Sequence, residues 1–189
     1  DIPVSDHLSF LGVNAKSKTA YVHNQTTQTL YSLNGGKFQI LNKLKGAKRI
    51  GSSLLLQGGR GNDNLTLPII DGVDSLVLYG GANHDTYQLS KEMWGHYRTV
   101  IIDNNDQNRA LDRLILPITN PESILVSRHD DDLMLTDSGN GTALVVRQVF
   151  GSQAKAHQHL HINLEEGSPV INVERLVESI SKQGNTNSV

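Results

Sequence analysis

Two glycine-rich segments contain the side chains best suited to bind a cation. Residues 58–66, GGRGNDNLT, fit the nine-residue pattern G-G-x-G-x-D-x-U-x, in which U is a large apolar residue. Residues 80–88, GGANHDTYQ, repeat the pattern with Asn83 in place of the third glycine. In this pattern the glycines form a turn that directs main-chain carbonyls at a cation, and the aspartate, here Asp63 or Asp85, adds a carboxylate. The pattern is typical of calcium binding.

The spacing of the two segments predicts one shared ion. In a two-sided β-roll, turns on the same edge recur once per coil, so residues 58–63 and 80–85 should stack ~4.8 Å apart. Calcium takes roughly six to eight oxygen ligands, which two carboxylates and several main-chain and Asn oxygens could provide. We therefore expect one calcium ion between the two turns; glycine turns that stack without metal are the alternative. The predicted ligand residues are Gly58, Gly59, Arg60, Gly61, Asn62, Asp63, Gly80, Gly81, Asn83 and Asp85.

Short β-strands are expected to carry these turns. Asp63, Asp74 and Asp85 follow one another at a constant spacing of 11 residues, and a large apolar residue stands two positions after each. The sequence therefore predicts an all-β fold, a parallel β-roll or β-solenoid, with Asp74 on the opposite edge from the other two. Gly, Asn or Asp separates most of the strand-like runs, which are residues 19–23, 29–33, 38–41, 53–56, 64–67, 75–78, 86–89, 99–102, 113–116 and 124–127.

Composition excludes several classes of function. The 189 residues include no cysteine, which rules out disulfides, thiolate nucleophiles and zinc–thiolate sites. No apolar stretch approaches the roughly 18 residues of a membrane span, so no membrane span is expected. A nucleic-acid partner is not expected either. Charge is uneven, because residues 1–62 carry +6, residues 63–137 carry -8 and residues 138–189 are neutral. The acidic block contains the glycine motifs, and bound cations would favour its folding.

The C-terminal part predicts an amphipathic helix. Val173, Leu176, Val177 and Ile180 have the i, i+3, i+4, i+7 spacing of an apolar helix face, and Asn172 is placed to cap the first turn. A solenoid end exposes apolar surface and unpaired strand edges. We therefore expect this helix to close one end of the solenoid.

These motifs resemble the C-terminal regions of RTX (repeats-in-toxin) proteins, a family of secreted bacterial toxins and metalloproteases. The resemblance covers roughly residues 54–182 and is most specific at the first repeat. After the repeats, residues 112–115 (DRLI), 131–135 (DDLML) and 144–150 (LVVRQVF) are similar to strands of the family's capping region. Residues 161–167 (HINLEEG) resemble the next strand and its acidic turn. The chain departs from the family in having one complete repeat and a basic first third.

The resemblance implies a domain organisation. Residues 1–53 would be a degenerate, metal-poor β-solenoid, and residues 54–90 a calcium-binding β-roll. Residues 91–182 would be a β-rich capping and secretion region ending in a short amphipathic helix, followed by a disordered tail over residues 183–189. The chain begins at Asp1, so we expect it to be part of a longer protein.

The resemblance also implies a function. The expectation is a non-catalytic calcium-binding domain at the C-terminus of a large secreted bacterial toxin or exoprotein. Such a domain folds on calcium outside the cell, is exported by a type I secretion machinery and targets a host-cell receptor or glycan. Calcium is the only cofactor that the resemblance implies.

A carbohydrate-binding module of a polysaccharide-acting enzyme is a first alternative. Lys43, Lys45, Lys48 and Arg49 form a basic cluster that could bind acidic sugars. Basic turns that simply face solvent would produce the same sequence pattern. The cluster therefore leaves this function open.

A metal-dependent enzyme is a second alternative. His157, His159 and His161 alternate, so on a strand they would share one face and could chelate a metal. No nucleophile elbow, phosphate loop or H-E-x-x-H motif accompanies them. An exposed polar strand face explains the histidines as well, so we expect no enzyme activity and assign no catalytic residue.

Overall fold

The protein is mostly β structure arranged in three sheets. The computed structural model describes residues 7–104, 110–165 and 170–186. Sixteen strands and three short or medium helices lie in these ranges. The all-β class expected from the sequence is confirmed at this level.

The first sheet is an antiparallel meander of four strands. β1 (Leu8–Asn14), β2 (Thr19–Asn24), β3 (Thr29–Asn34) and β4 (Lys37–Lys43) pair in chain order. The turn between β3 and β4 is Gly35-Gly36, and both glycines have positive φ, which suits a two-residue hairpin turn.

The metal-poor solenoid predicted for residues 1–53 is wrong for the part that the structure describes. Connections of two to four residues can join only antiparallel neighbours, whereas parallel strands need a longer crossover. Each strand of the meander therefore folds back on the one before it.

The rest of the chain forms two mixed sheets, with helices between some of the strands. In chain order the elements are β5 (Gly46–Ile50), β6 (Ser53–Gln57), β7 (Asn64–Thr66), β8 (Ser75–Tyr79), β9 (Thr86–Gln88), α1 (Met93–His96), β10 (Thr99–Asp103), β11 (Asp112–Ile115), a 3-10 turn (Pro121–Ser123), β12 (Ile124–His129), β13 (Asp132–Asp137), β14 (Ala143–Val146), α2 (Ala154–His157), β15 (Leu160–Asn163), β16 (Val170–Asn172) and α3 (Val173–Thr186).

Strands β6 to β11 alternate between these two sheets. The larger sheet has the order β12-β13-β14-β10-β8-β6-β5, and β6, β8, β10 and β14 are parallel within it. The smaller sheet has the order β16-β15-β11-β9-β7, and β7, β9, β11 and β15 are parallel. The strands β5, β12, β13 and β16 pair antiparallel with their neighbours, which makes both sheets mixed.

The main core lies where these two sheets face each other. In the larger sheet, Leu54 of β6 is the register neighbour of Leu76 of β8, and both are fully buried. In the smaller sheet, Leu65 of β7 neighbours Tyr87 of β9, and both are buried. Full burial of one such side chain stabilises the fold by about 1.5–3 kcal/mol. These rows of buried side chains therefore fix the register between neighbouring strands.

The meander covers one end of this core, beside the edge strands β5 and β7. Leu11 of β1 and Leu30 of β3 are buried in the common core. Thr66 N of β7 donates to Asn42 Oδ1 of β4 at 2.9 Å, and Asn42 Nδ2 donates back to Thr66 O. These bonds satisfy main-chain groups that an open strand edge would leave unpaired.

The other side of the meander is apolar and faces solvent. Phe10 is 66% exposed and Ile40 is 62% exposed. Eight apolar residues, called the outer face below, lie there in two rows of cross-strand neighbours: Phe10, Val22, Tyr31 and Ile40, then Val13, Ala20, Leu33 and Phe38. The aromatic rings of Tyr31 and Phe38 meet edge to face at 6.3 Å.

The predicted C-terminal helix is present as α3. Asn172 Oδ1 accepts a hydrogen bond from Arg175 N at 3.1 Å, so Asn172 caps the helix as expected. Val173 and Val177 are buried against the core. The helix runs to Thr186, so the disordered tail predicted from residue 183 does not begin there. Residues 187–189 lie outside the described residues.

Candidate metal centre

The two glycine-rich turns lie side by side on one edge of the paired sheets. The first joins β6 to β7 and the second joins β8 to β9, so the parallel pairing of these strands stacks the turns. Ala82 N donates to Gly59 O and Gly61 N donates to Ala82 O, both at 3.3 Å. Arg60 forms an isolated parallel bridge with Ala82, while its side chain is exposed. The structure thus brings together the turns that the sequence pairs.

Two of the glycines are required because main chain packs directly on main chain. A Cβ on Gly58 would lie 2.2 Å from Gly80 O in the neighbouring turn. A Cβ on Gly81 would lie 2.3 Å from Gly59 O. Real Cβ atoms do not approach other atoms so closely, so only glycine fits at these two positions.

The position of the third glycine in the pattern, the fourth residue of each turn, has a different requirement. Gly61 has φ of 121° and Asn83, its equivalent in the second turn, has φ of 84°. Asn tolerates the left-handed region better than most residues, which explains the replacement. In these two turns, positive φ occurs only where the pattern has its third glycine.

A ladder of aspartates runs along the same edge. Asp63 N donates to Asp85 Oδ1 at 2.9 Å, and Asp85 N donates to Asp112 Oδ1 at 2.8 Å. Inside the first turn, Gly59 N donates to Asp63 Oδ2 at 3.3 Å. An ionised carboxylate has two oxygens and about four acceptor positions, so one N–H bond does not exhaust its capacity for a cation.

Asp112 belongs to this ladder although it was not among the predicted ligands. It is fully buried and lies at the start of β11, next to β9 in the smaller sheet. A sequence signal was present: Asp112 precedes Leu114 as Asp63 precedes Leu65. The step from Asp85 to Asp112 is longer than the step from Asp63 to Asp85, and this inserted length hid the repeat.

Asn104 is a second residue of this edge that the sequence did not indicate. It is 1% exposed, and its Nδ2 donates to His159 O at 3.0 Å, which turns Oδ1 away from that carbonyl. Among the described residues, Asn104 Oδ1 has no hydrogen-bond partner. A Cβ on Gly80 would lie 3.0 Å from Tyr87 Oη, 3.2 Å from Asp112 Oδ2 and 3.3 Å from Asn104 Oδ1, so these three side-chain oxygens lie close together beside Gly80.

The donor set suits a hard cation such as calcium better than zinc or copper. Asp63 and Asp85 provide carboxylates, and Asn62 Oδ1, which accepts from His84 N at 3.2 Å, provides an amide oxygen beside them. His84 Nδ1 bonds to the main chain of Leu111 instead of pointing to the aspartates. In the described ranges, no three His, Asp or Glu side chains gather to hold a metal. A calcium ion bound beside these side chains would complete its coordination with main-chain oxygens and water.

The three alternating histidines do not share a strand face. His157 ends α2 and is buried, with its Nδ1 3.7 Å from Asp103 Oδ1. His159 lies between α2 and β15, and His161 is in β15 with its Nε2 3.2 Å from Asn172 Nδ2. The prediction of one common face is wrong because a helical turn, not a strand, precedes β15.

The basic cluster divides into two pairs. Lys43 Nζ donates to Thr29 Oγ1 at 2.8 Å, and the Arg49 guanidinium donates to three main-chain oxygens, so both side chains have local structural partners. Lys45 and Lys48 instead line a pocket of about 410 Å³ between the meander and the β5–β6 hairpin. The other polar or aromatic residues of that pocket include Ser9, His23, Gln25, Gln57 and Tyr79.

Comparison with known proteins adds no assignment. No protein-family model matches the chain, and a search of curated proteins finds no match. In the described parts of the chain, every helix is too short or too polar to cross a membrane. The candidate calcium site therefore rests on the geometry of the turns and on the resemblance of their sequence.

Proposed function

We propose that this chain contains a non-catalytic, calcium-binding module of the RTX type. The observation that carries the proposal is the contact between the two turns, where Asp63 N donates to Asp85 Oδ1 at 2.9 Å. Two aspartates far apart in sequence thereby share one edge with several main-chain oxygens. A calcium ion bound between the turns would offset the mutual repulsion of the acidic block that contains them.

The topology supports a parallel β-roll as the fold of this module. β6 to β11 alternate between two sheets, and each pairs in parallel with the strand of the next coil. Residues 67–74 join β7 to β8, so Asp74 belongs to the opposite edge from Asp63 and Asp85. In this proposal the β12–β13 hairpin, β16 and α3 form the C-terminal cap of the roll.

The proposed mechanism is linkage between calcium binding and folding. With an affinity near 10⁻⁴ M, about the value for extracellular calcium modules, ~1 mM calcium stabilises the folded state by about 1.4 kcal/mol per ion. The low calcium of the cytosol leaves the acidic block without that stabilisation. The chain would then remain competent for export inside the cell and fold after secretion.

Calcium titration of the melting temperature tests the proposal. We expect calcium to raise Tm of the unmodified chain, and Asp63→Ala or Asp85→Ala to abolish that rise. Asp74→Ala is the matched control, because Asp74 has the same sequence spacing but is exposed on the opposite edge. The calcium-dependent rise in Tm should persist in Asp74→Ala. It should persist in His159→Ala as well.

Identical melting curves with and without calcium would contradict the proposal. A calcium-dependent rise in Tm that survives both Asp63→Ala and Asp85→Ala would place the ion elsewhere. A rise that magnesium reproduces at equal concentration would show a general cation effect on the acidic block instead of a calcium site.

The biological setting belongs to the same proposal and rests on the sequence resemblance. The module would lie in a secreted bacterial toxin or exoprotein, use a type I secretion machinery and contribute to host-surface binding. Secretion of the chain from a type I-competent host, with and without residues 173–186, tests the export role. Unchanged secretion without this helix would leave α3 only the role of a cap.

A carbohydrate-binding function is a second candidate because the structure gathers part of the basic cluster in a pocket. Lys45 and Lys48 line it together with Tyr79, Gln25 and Gln57. Lysines, amides and an aromatic ring are suitable partners for an acidic sugar, which combines a carboxylate, hydroxyls and an apolar ring face.

A comparison of two polysaccharides tests this second function. Hyaluronate is acidic and dextran is neutral, and binding of the chain to each is measured. We expect Lys45→Gln with Lys48→Gln to reduce hyaluronate binding, and Lys43→Gln to leave it unchanged because Lys43 bonds to Thr29. Equal binding of dextran, or equal effects of the two sets of variants, would exclude the pocket as an acidic-sugar site.

A further inference from the structure

The outer face of the meander is an unusually apolar surface for a solvent-facing sheet. Its eight residues lie in two adjoining rows that cross all four strands, so they form one continuous patch. Phe10 and Ile40 at the two edges are 66% and 62% exposed, and Val13 is 44% exposed. Contiguous apolar patches of this kind on soluble proteins mark binding surfaces more often than chance.

The charged side chains that the meander itself carries are all lysines. Residues 8–43, which contain the whole meander, include Lys16, Lys18, Lys37 and Lys43 but no Asp, Glu or Arg. Lys16 and Lys18 are in the turn between β1 and β2, and Lys37 begins β4 at the same end of the sheet. Two acidic side chains from outside the meander approach this turn: Asp71 Oδ2 accepts from Ala15 N at 2.7 Å, and Glu92 Oε1 lies 3.8 Å from Lys16 Nζ with both side chains highly exposed.

We propose that the outer face docks on an anionic lipid membrane surface. Apolar and aromatic side chains would enter the boundary between headgroups and acyl chains, while the lysines at the ends of the sheet face anionic headgroups. This docking needs no membrane-spanning segment. It also uses a part of the chain that the candidate calcium site does not include.

The charge distribution argues against a second copy of the chain as the occupant. Two outer faces packed together would bring two sets of lysines into proximity without an acidic residue from either meander. Like charges juxtaposed in an interface are costly. An anionic bilayer, by contrast, complements both the lysines and the apolar rows.

Flotation of the full chain with phospholipid vesicles tests the proposal. The vesicles contain phosphatidylcholine alone or with about 30% phosphatidylserine, in buffer with about 1 mM calcium so that the chain is folded whether or not it requires the ion. We expect binding to the phosphatidylserine vesicles, several-fold weaker binding without phosphatidylserine, and weakening as salt rises from about 0.1 to 0.5 M.

Substitutions locate the binding to this face. Phe10→Ser with Ile40→Ser should reduce the bound fraction by about tenfold, since apolar burial and charge act together at membrane surfaces. Leu125→Ser is the matched control, because Leu125 is an equally exposed apolar residue at 60% on β12. Lys16→Gln, Lys18→Gln and Lys37→Gln together should reduce binding to anionic vesicles and flatten its salt dependence.

Three outcomes would overturn the proposal. The first is a chain that stays unbound with phosphatidylserine vesicles while circular dichroism shows it to be folded. The second is equal binding by the Phe10/Ile40 and Leu125 variants. The third is a dimer in sedimentation velocity that Ile40→Ser dissociates, without vesicle binding, which would identify a second copy as the occupant. None of these outcomes depends on whether calcium binds at Asp63 and Asp85.

Discussion

The meander and the two mixed sheets are both β structure, but their strands are held together by contacts of different range. In the meander each strand pairs with the next through a short turn. In the mixed sheets β6 pairs with β8, so that Leu54 meets Leu76 and the intervening turns must stack main chain on main chain. A turn of the meander therefore has space around it, whereas a stacked turn does not.

The two regions also differ in charge. The meander has four lysines and no acidic residue, whereas buried carboxylates occur in the mixed sheets at Asp85, Asp112 and Asp137. Sensitivity to cations and to acid should therefore be concentrated in the mixed sheets. The effect of surface substitutions on vesicle binding should instead be concentrated in the meander, because the meander exposes the outer face.

Glycine substitutions should give the largest change in the free energy of unfolding. They test the difference between the stacked turns of the mixed sheets and the open turns of the meander. Gly81→Ala would place a Cβ 2.3 Å from Gly59 O, so we expect it to lower the free energy of unfolding by about 3 kcal/mol. Gly35→Ala in the meander turn has open space but positive φ, so its cost should be about 1 kcal/mol. Urea unfolding of both variants measures the difference.

Equal losses for Gly81→Ala and Gly35→Ala would contradict the comparison. They would mean that the stacked turns separate easily and that their close approach contributes little to stability. Gly58→Ala provides a second test of the same contact from the other turn, because its Cβ would lie 2.2 Å from Gly80 O.

Asp137 makes the mixed sheets sensitive to acid. Burial acts to raise the pKa of Asp137, but hydrogen bonds from Trp94 Nε1 and Gly139 N, each at 2.9 Å, and from the Ser123 hydroxyl outweigh burial and lower it. The pKa of Asp137 is lower in the folded state than in the unfolded state, so the ionised carboxylate stabilises the fold fully above the unfolded-state pKa of about 4. This stabilisation is lost as pH falls through the folded-state pKa.

Asp137→Asn should therefore lower the free energy of unfolding by about 1–2 kcal/mol at pH 7. The difference in free energy of unfolding between this variant and the unmodified chain should be smaller at pH 3. Trp94 is the only tryptophan in the chain, so its fluorescence reports directly on this contact during thermal unfolding. A difference between the two proteins that stays constant from pH 7 to pH 3 would show that the carboxylate contributes no charge-dependent stability.

The sequence predicted individual strands better than it predicted their partners. All ten strand-like runs correspond to strands, within one or two residues at each end, because apolar alternation and turn residues are local signals. The antiparallel pairing of β1 to β4 was not predicted, because a series of short strand-like runs does not indicate whether neighbouring strands are parallel or antiparallel. The short turns, including Gly35-Gly36, were the local sign of hairpins.

The candidate site was predictable where it followed the nine-residue pattern and not beyond it. The stacking of residues 58–63 on residues 80–85 followed from their spacing, and the equivalence of Asn83 with Gly61 followed from its tolerance of positive φ. Asn104 carries no repeat signal, since only the fold places its amide beside Asp112 and over Gly80. The prediction that the three alternating histidines share one face was wrong, because their alternation was taken to indicate a strand.

Hydrogen exchange should separate the two regions by their response to calcium. If calcium binds between the turns, amides that bond across them, such as Asp63 N and Thr86 N, should exchange about tenfold more slowly in ~1 mM calcium. Amides in the centre of the meander, such as Leu30 N, should change less. Equal slowing in both regions would show that the meander and the mixed sheets open as one cooperative unit.

Substitution on the outer face should have the smallest effect on the free energy of unfolding. This small effect tests whether the outer face is exposed in solution. Ile40→Ser should change the free energy of unfolding by less than about 0.5 kcal/mol, because Ile40 is 62% exposed and loses little burial. Leu30→Ala on the opposite side of the same sheet should cost about 2–5 kcal/mol, because Leu30 is fully buried. Urea unfolding measures both. A large cost for Ile40→Ser would mean that the chain covers this face in solution, and the meander would then lack the free surface needed to dock on a membrane.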